Sequence, residues 1–170
     1  MPPENIGVVI TTYNSPLWLS KVLAGYESQT EAQFRTIIAD DGSTDATQAV
    51  IAHFQGRGVL QIDHVWHEDR GFRKCEILNK AIEQTDCDYL IFTDGDCIPE
   101  PDFIATHQRL AEPGYFLSGG YIKLTMPVSE SISEEDVRSG GIFQADFLIA
   151  KGQPKTHKLW KLSRSAFKKN

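Results

Sequence analysis

The run Tyr89-Leu90-Ile91-Phe92-Thr93-Asp94-Gly95-Asp96 changes character abruptly. Its first part is short, apolar, aromatic and β-branched, which reads as a buried strand. Aspartate and glycine are poor strand formers, so the strand should end in the acidic triplet. Two acids at the carboxyl end of a buried strand are in a telling place, because open α/β sheets bind ligands outside the carboxyl ends of their strands.

Working outward, strand and helix signals alternate along the chain. Gly7 to Thr12 and Phe34 to Ala39 read as buried strands. Leu60, Ile62, His64 and Trp66 alternate with mostly polar neighbours and predict a half-exposed strand. Between them, Ser15 can cap a helix that has Pro16 at its first position. Its apolar face would be Leu19, Val22, Leu23 and Tyr26. Ala46, Ala49, Val50 and Phe54 mark a second helix. A third is expected over Phe72 to Gln84, with Cys75, Leu78 and Ile82 inward, and a fourth over Pro101 to Leu110. Repeated βα units predict an α/β fold: a mostly parallel sheet with helices on both faces. Beyond Gly114 the pattern loosens. Tyr115 to Leu117 and Tyr121 to Thr125 are candidate strands, and Ser133 is a candidate cap for an acidic helix start.

The 170 residues suit one core, with 41% hydrophobic and 24% charged residues. No stretch reaches the roughly 18 apolar residues of a membrane span. No basic, apolar leader opens the chain. Cys75, Cys87 and Cys97 lack CxxC spacing and read as reduced thiols, which points to the cytoplasm. The net charge of −6 argues against a nucleic-acid partner. It also conceals a basic end: residues 151–170 carry seven Lys or Arg and no acid. Leu159, Leu162, Ala166 and Phe167 there have helical spacing. Such a helix either packs on other protein or lies peripherally on an anionic membrane. The expected division is therefore residues 1–150 as the ligand-binding domain and 151–170 as a basic amphipathic segment.

Three strands end in polar clusters that would face one crevice: Thr11-Thr12-Tyr13-Asn14, Asp40-Asp41-Gly42-Ser43-Thr44-Asp45 and Asp94-Gly95-Asp96. In extended chain, residues i and i+2 point the same way, so Asp94 and Asp96 can converge on one point. Paired carboxylate oxygens suit Mg²⁺ or Mn²⁺, and such an ion could bridge to a diphosphate. The competing reading is a plain Asp-Gly turn. Helix capping accounts for Ser43, Thr44 or Asp45 but not for two adjacent aspartates, one of which can accept a nucleobase N–H. Arg70, Arg73 and Lys74 stand where a helix N-terminus would help bind an anion, whereas Lys80 reads as solvated. His64 and His67 fall on opposite faces and read as structural, and Cys97 reads as packed.

The ordered set Val8-Val9-Ile10-Thr11-Thr12-Tyr13-Asn14, Ala39-Asp40-Asp41-Gly42-Ser43-Thr44-Asp45 and Phe92-Thr93-Asp94-Gly95-Asp96 resembles glycosyltransferase family 2, of the GT-A fold. Glu68-Asp69-Arg70-Gly71-Phe72-Arg73-Lys74, followed by Leu78-Asn79-Lys80-Ala81, is similar to a segment of the chondroitin-polymerase-like and lipopolysaccharide-type members. The resemblance runs from about Gly7 to Ile104. It implies that Thr11 and Tyr13 line a nucleobase pocket and that Asp41 binds the uracil edge. It further implies that Arg73 approaches the nucleotide, Asp94 contacts ribose and metal, and Asp96 binds metal. The implied donor is a UDP-sugar, the cofactor Mn²⁺ or Mg²⁺, and the acceptor a bacterial surface glycan or lipid-linked sugar, with inversion at the anomeric carbon. The family's general base lies well after the DxD triplet. Glu135-Asp136 sits in an acidic helix start and is a poor match, so a truncated chain, with the base beyond Asn170, is the expectation. A nucleotide-sugar-binding module without turnover is the alternative. A nucleotidyltransferase would need a Gly-rich, cationic loop after the first strand, which Thr11-Thr12-Tyr13-Asn14 is not.

Overall fold

The four apolar runs become β1 (Ile6–Thr12), β2 (Arg35–Asp40), β3 (Gln61–Trp66) and β4 (Tyr89–Asp94). They form one sheet of order β3-β2-β1-β4, with every pair parallel. The computed structural model describes residues 3–159 and Leu162. Helices α1 (Pro16–Glu27), α2 (Asp45–Arg57) and α3 (Lys74–Glu83) connect successive strands, and α4 (Phe103–Leu110) follows β4. From β1 the chain steps to β2 and then β3, after which it returns past β2 and β1 to β4. Right-handed crossovers therefore put α1 and α2 on one face and α3 on the other. This is the GT-A-type α/β sheet that the sequence predicts.

The alternation of strand side chains supplies both faces with apolar surface. Val9, Ile37, Ala39 and Val65 pack with Ile77 and Ala81 of α3. The other side chains of β1 and β2, Val8, Ile10 and Ile38, are fully buried, as are Leu19, Val22 and Leu23 of α1. Burying each such side chain contributes about 1.5–3 kcal/mol. Two helix faces differ from expectation. On α2 the buried residues are Thr47, Ile51 and Phe54, while Ala46 and Ala49 are exposed. On α3 they are Ile77 and Ala81, whereas Cys75 and Ile82 are exposed and Leu78 is partly buried. Short helices with two candidate apolar stripes take their phase from the loops that deliver them. Both α3 and α4 also begin two residues later than predicted.

The chain divides into two compact units, Met1–Leu117 and Ser118–Asn170. The second contains α5 (Met126–Ser131), α6 (Glu134–Arg138), a 3-10 turn (Gly141–Phe143) and α7 (Ala145–Ala150). Ser133 caps α6, as expected, and the structure adds that it does so in a reciprocal box with Asp136. Tyr115 to Leu117 and Tyr121 to Thr125 are not strands: the described chain is irregular there and mostly exposed. Strand-forming side chains need a neighbouring strand to satisfy their backbone, and these have none among the described residues. All three cysteines are free. Among the described residues, no helix is long and apolar enough to cross a membrane. The amphipathic helix expected over 159–167 lies outside the described residues except at Leu159 and Leu162.

Candidate functional site

Strand register brings the predicted clusters to one edge. Thr11 pairs with Asp94, Thr12 with Asp40 and Asp40 with Trp66, all at the carboxyl ends of their strands. Strand order reverses between β1 and β4, and the crevice of a doubly wound sheet opens at such a reversal. The Asp94 carboxylate stands there.

At the end of β4, the triplet is a turn rather than extended chain: Cys97 N–H donates to the Asp94 carbonyl at 3.1 Å. The i, i+2 strand argument thus fails, yet the side chains still converge. One ligand atom from each of Asp94, Asp96 and Cys97 lies within 4.8 Å of the others. Gly95 serves the β1 backbone: its N–H donates to the Thr11 carbonyl at 2.8 Å, and a Cβ there would lie 2.7 Å from that oxygen. Asp94 Oδ1 accepts from Thr11 Oγ1 at 3.0 Å and pairs with Lys74 Nζ at 2.5 Å. The Lys74 ammonium, aided by Thr11 and opposed by partial burial, holds the Asp94 carboxyl below its ordinary 3.8. The donor set fits a hard divalent cation. Burial, with Asp96 beside it, pushes the Cys97 thiol up to about 11, and the two carboxylates supply the hard oxygen donors such an ion prefers.

The end of β2 is built differently. Asp40 is fully buried, accepting from Ser43 N–H at 2.8 Å and bonding His64 Nε2 at 3.0 Å. Burial alone would raise its pKa, but these two partners outweigh it and the carboxyl stays below 3.8. Asp41 is also buried: His67 Nε2 meets its Oδ1 at 2.7 Å, and the Arg73 backbone N–H donates to Oδ2 at 2.9 Å. Lys80 Nζ reaches His67 Nδ1 at 3.2 Å and Glu76 at 2.8 Å. Lysine only donates, so Nδ1 is the acceptor and the His67 proton sits on Nε2, facing Asp41. Lys80 is therefore part of this network rather than solvated. Each histidine braces one aspartate; β3 stops at Trp66, so His67 lies beyond the strand and the expected alternation of faces does not apply to it.

Hydrogen bonds tie the loops together. Asn14, at φ 45°, accepts from Thr44 N–H and Oγ1, and its own N–H donates to Ser43 Oγ. Ser15 and Thr44 stand at the N-cap positions of α1 and α2, with Pro16 opening α1 as expected, but neither side chain makes the cap bond; with Ser43, their hydroxyls bond the loops. Gly42, at φ 95°, lets the β3–α3 loop close in, since a Cβ would lie 2.6 Å from Asp69 Cα. From that loop Asp69 accepts the Tyr13 hydroxyl at 2.8 Å, which raises the tyrosine pKa. The backbone N–H of Gly71, then Tyr13, lowers that of Asp69. Arg73 caps α3 in position only; its guanidinium bonds Glu76 and the Glu68 carbonyl. Arg70 turns away to Glu68. Thr11 is thus bonded to Asp94, and the Arg73 N–H to Asp41, at the carboxyl ends of the strands, where Tyr13 is half exposed and Asp96 exposed.

A model described as Glycosyl transferase family 2 matches residues 7–132. Validoxylamine A glucosyltransferase of Streptomyces hygroscopicus subsp. jinggangensis is 33% identical over 101 residues, 58% of this chain and 24% of that protein. Chondroitin synthase of Escherichia coli is 28% identical over 108 residues, 63% of this chain and 16% of that one. This chain thus spans about a quarter or less of either relative. A mannosyltransferase from Pyrobaculum calidifontis, solved with GDP-Man and Mn2+, shares the fold with a TM-score of 0.56 at 22% identity, over 66% of this chain and 34% of that one. With the family model spanning the sheet and every acidic strand end of the crevice, the chain belongs to glycosyl transferase family 2.

Proposed function

We propose that the crevice binds the diphosphate of a nucleotide-sugar, a UDP-sugar by preference, for transfer of the sugar to a glycan or lipid-linked acceptor with inversion. The observation that carries this reading is the convergence of Asp94 and Asp96 at the strand-order reversal. A divalent cation held by these two carboxylates would neutralise charge on the departing nucleoside diphosphate. The GDP-Man and Mn2+ seen with the mannosyltransferase support a nucleotide-sugar and a divalent ion.

The chain's own residues supply the rest. Asp41 keeps unused lone pairs for a base N–H, while His67 and the Arg73 N–H fix its orientation. Tyr13 and Thr11 border the space where a base and ribose would lie. Inversion also needs a base to deprotonate the acceptor hydroxyl. Asp136 is engaged by its capping box and by Lys151 at 3.0 Å, so the Glu135-Asp136 pair is not assigned that task.

Calorimetry of UDP with Mn²⁺ and with chelator tests the reading. Binding is expected to be strong only with Mn²⁺, and Asp96→Asn should remove the metal-dependent part. Equal UDP affinity in both conditions sinks the cation bridge.

A further inference from the structure

Lys74 is the first residue of α3. An ammonium there faces the positive end of the helix dipole, an unfavourable place. It nonetheless reaches over to Asp94 Oδ1 at 2.5 Å, the oxygen that also takes the Thr11 hydroxyl. The other cations of this helix end have different partners. The Arg73 guanidinium is held by Glu76 and the Glu68 carbonyl, and Lys80 by Glu76 and His67. Only Lys74, among these, is bound to a carboxylate of the proposed metal pair. Both ends of that bond are open to solvent, with side-chain exposures of 38% and 57%.

We infer that Lys74 is an exchangeable internal cation: it compensates Asp94 while the crevice is empty, yields that carboxylate to a divalent ion, and then pairs with the anionic donor. The inference rests on the proposed reading of Asp94 and Asp96. With a hydroxyl and an ammonium donating to it, Oδ1 has both lone-pair directions filled. An arriving dication must displace Nζ from that oxygen or take the other one, a carboxylate's width away, where two cations repel. Either route breaks or loosens the ion pair. A lysine suits such exchange, being a point charge on a flexible stem with rotatable donors. Released beside a diphosphate, the ammonium finds a stronger anion than the carboxylate it left. Metal and donor should then bind cooperatively, each favouring the state in which Lys74 has let go.

The test measures Mn²⁺ binding to the full chain by electron paramagnetic resonance, without nucleotide, in wild type, Lys74→Gln, Arg70→Gln and Asp96→Asn. Arg70→Gln removes one nearby charge that pairs with Glu68 and not with Asp94. Lys74→Gln is expected to tighten Mn²⁺ about two- to fivefold, the range an exposed ion pair can supply. Arg70→Gln should change it less, and Asp96→Asn should abolish it. With Mn²⁺ saturating, Lys74→Gln should instead weaken UDP, which excludes a general gain in affinity. Mn²⁺ binding that Asp96→Asn abolishes but Lys74→Gln leaves unchanged, or tightens no more than Arg70→Gln does, overturns the inference and spares the metal reading. Failure of Mn²⁺ to bind wild type and Lys74→Gln alike overturns both. Lys74→Met, which has similar bulk and no charge, should repeat the Lys74→Gln result.

Discussion

The ends of β2 and β4 both carry paired aspartates, yet they are different constructions. Asp40 and Asp41 are buried, and every carboxylate oxygen of the pair meets a protein donor: His64, Ser43, His67 or the Arg73 N–H. Asp94 and Asp96 are exposed, and the partners of Asp94 are one hydroxyl and one mobile-stemmed ammonium. A buried carboxylate must have its donors built in, because desolvation without them is costly. An exposed one can wait for a ligand. Asp40 holds the strand end in shape, Asp41 is fixed in one orientation by His67 and the Arg73 N–H, and the second pair leaves its charge available. Similar acid-rich signatures therefore give carboxylates with built-in donors in one place and solvent-open ones in the other.

The largest expected contrast is in stability. Asp40→Ala strands His64 and the Ser43 N–H in a buried setting and should cost about 3 kcal/mol. Asp96→Ala, in the exposed turn, should stay within about 0.5 kcal/mol. Urea denaturation of both variants measures this, and equal losses would erase the distinction. Next comes Gly42→Ala, which combines φ 95° with a Cβ 2.6 Å from Asp69 Cα. A loss of about 2 kcal/mol is expected, together with weaker UDP binding as the loop is pushed away. Unchanged stability would show that the loop yields freely.

Base preference sharpens the comparison further. A buried Asp41 aimed by His67 should favour bases that offer a ring N–H, uracil or guanine, over cytosine. The penalty for CDP is about 1–3 kcal/mol. Competition among UDP, GDP and CDP measures it, and an Asp41→Ala variant with the same UDP/CDP ratio would refute the role. The smallest effect concerns acid. Asp40 has a folded pKa below 3.8, so its contribution is complete above that value and is lost as pH falls through the lower folded value. Denaturation curves from pH 5 down to 2 should show this loss in wild type and less of it in Asp40→Asn. The same slope in Asp40→Asn would assign the acid sensitivity elsewhere.

Much of the frame was legible because local rules governed it. The strands announced themselves by apolar runs and their ends by aspartate and glycine. The cap at Ser133 was readable because it acts within one helical turn. Helix phase was not: Ile77 and Ala81, rather than Cys75 and Ile82, face the sheet. That choice is seen only in the packing, where Ile77 and Ala81 meet Val9, Ile37, Ala39 and Val65 of the sheet. The histidine partners of Asp40 and Asp41 were hidden for a similar reason. Each pair joins the end of β2 to residues more than 20 positions later, and only the pairing of β2 with β3 brings them within reach.

By itself, the sequence determined the order of strands and helices, the crevice at the strand ends and the acids standing in it. These follow from side-chain periodicity and from the poor strand propensity of aspartate and glycine, which act over a few residues. Tertiary structure alone decided which acids are buried with donors built around them and which stand open to solvent. That depends on burial and on donors brought from distant positions: His64 and His67 close over one pair, while Lys74 rests lightly on the other. Spacing along the chain carries no record of those distances, because they are set by the packing of α3 against the sheet.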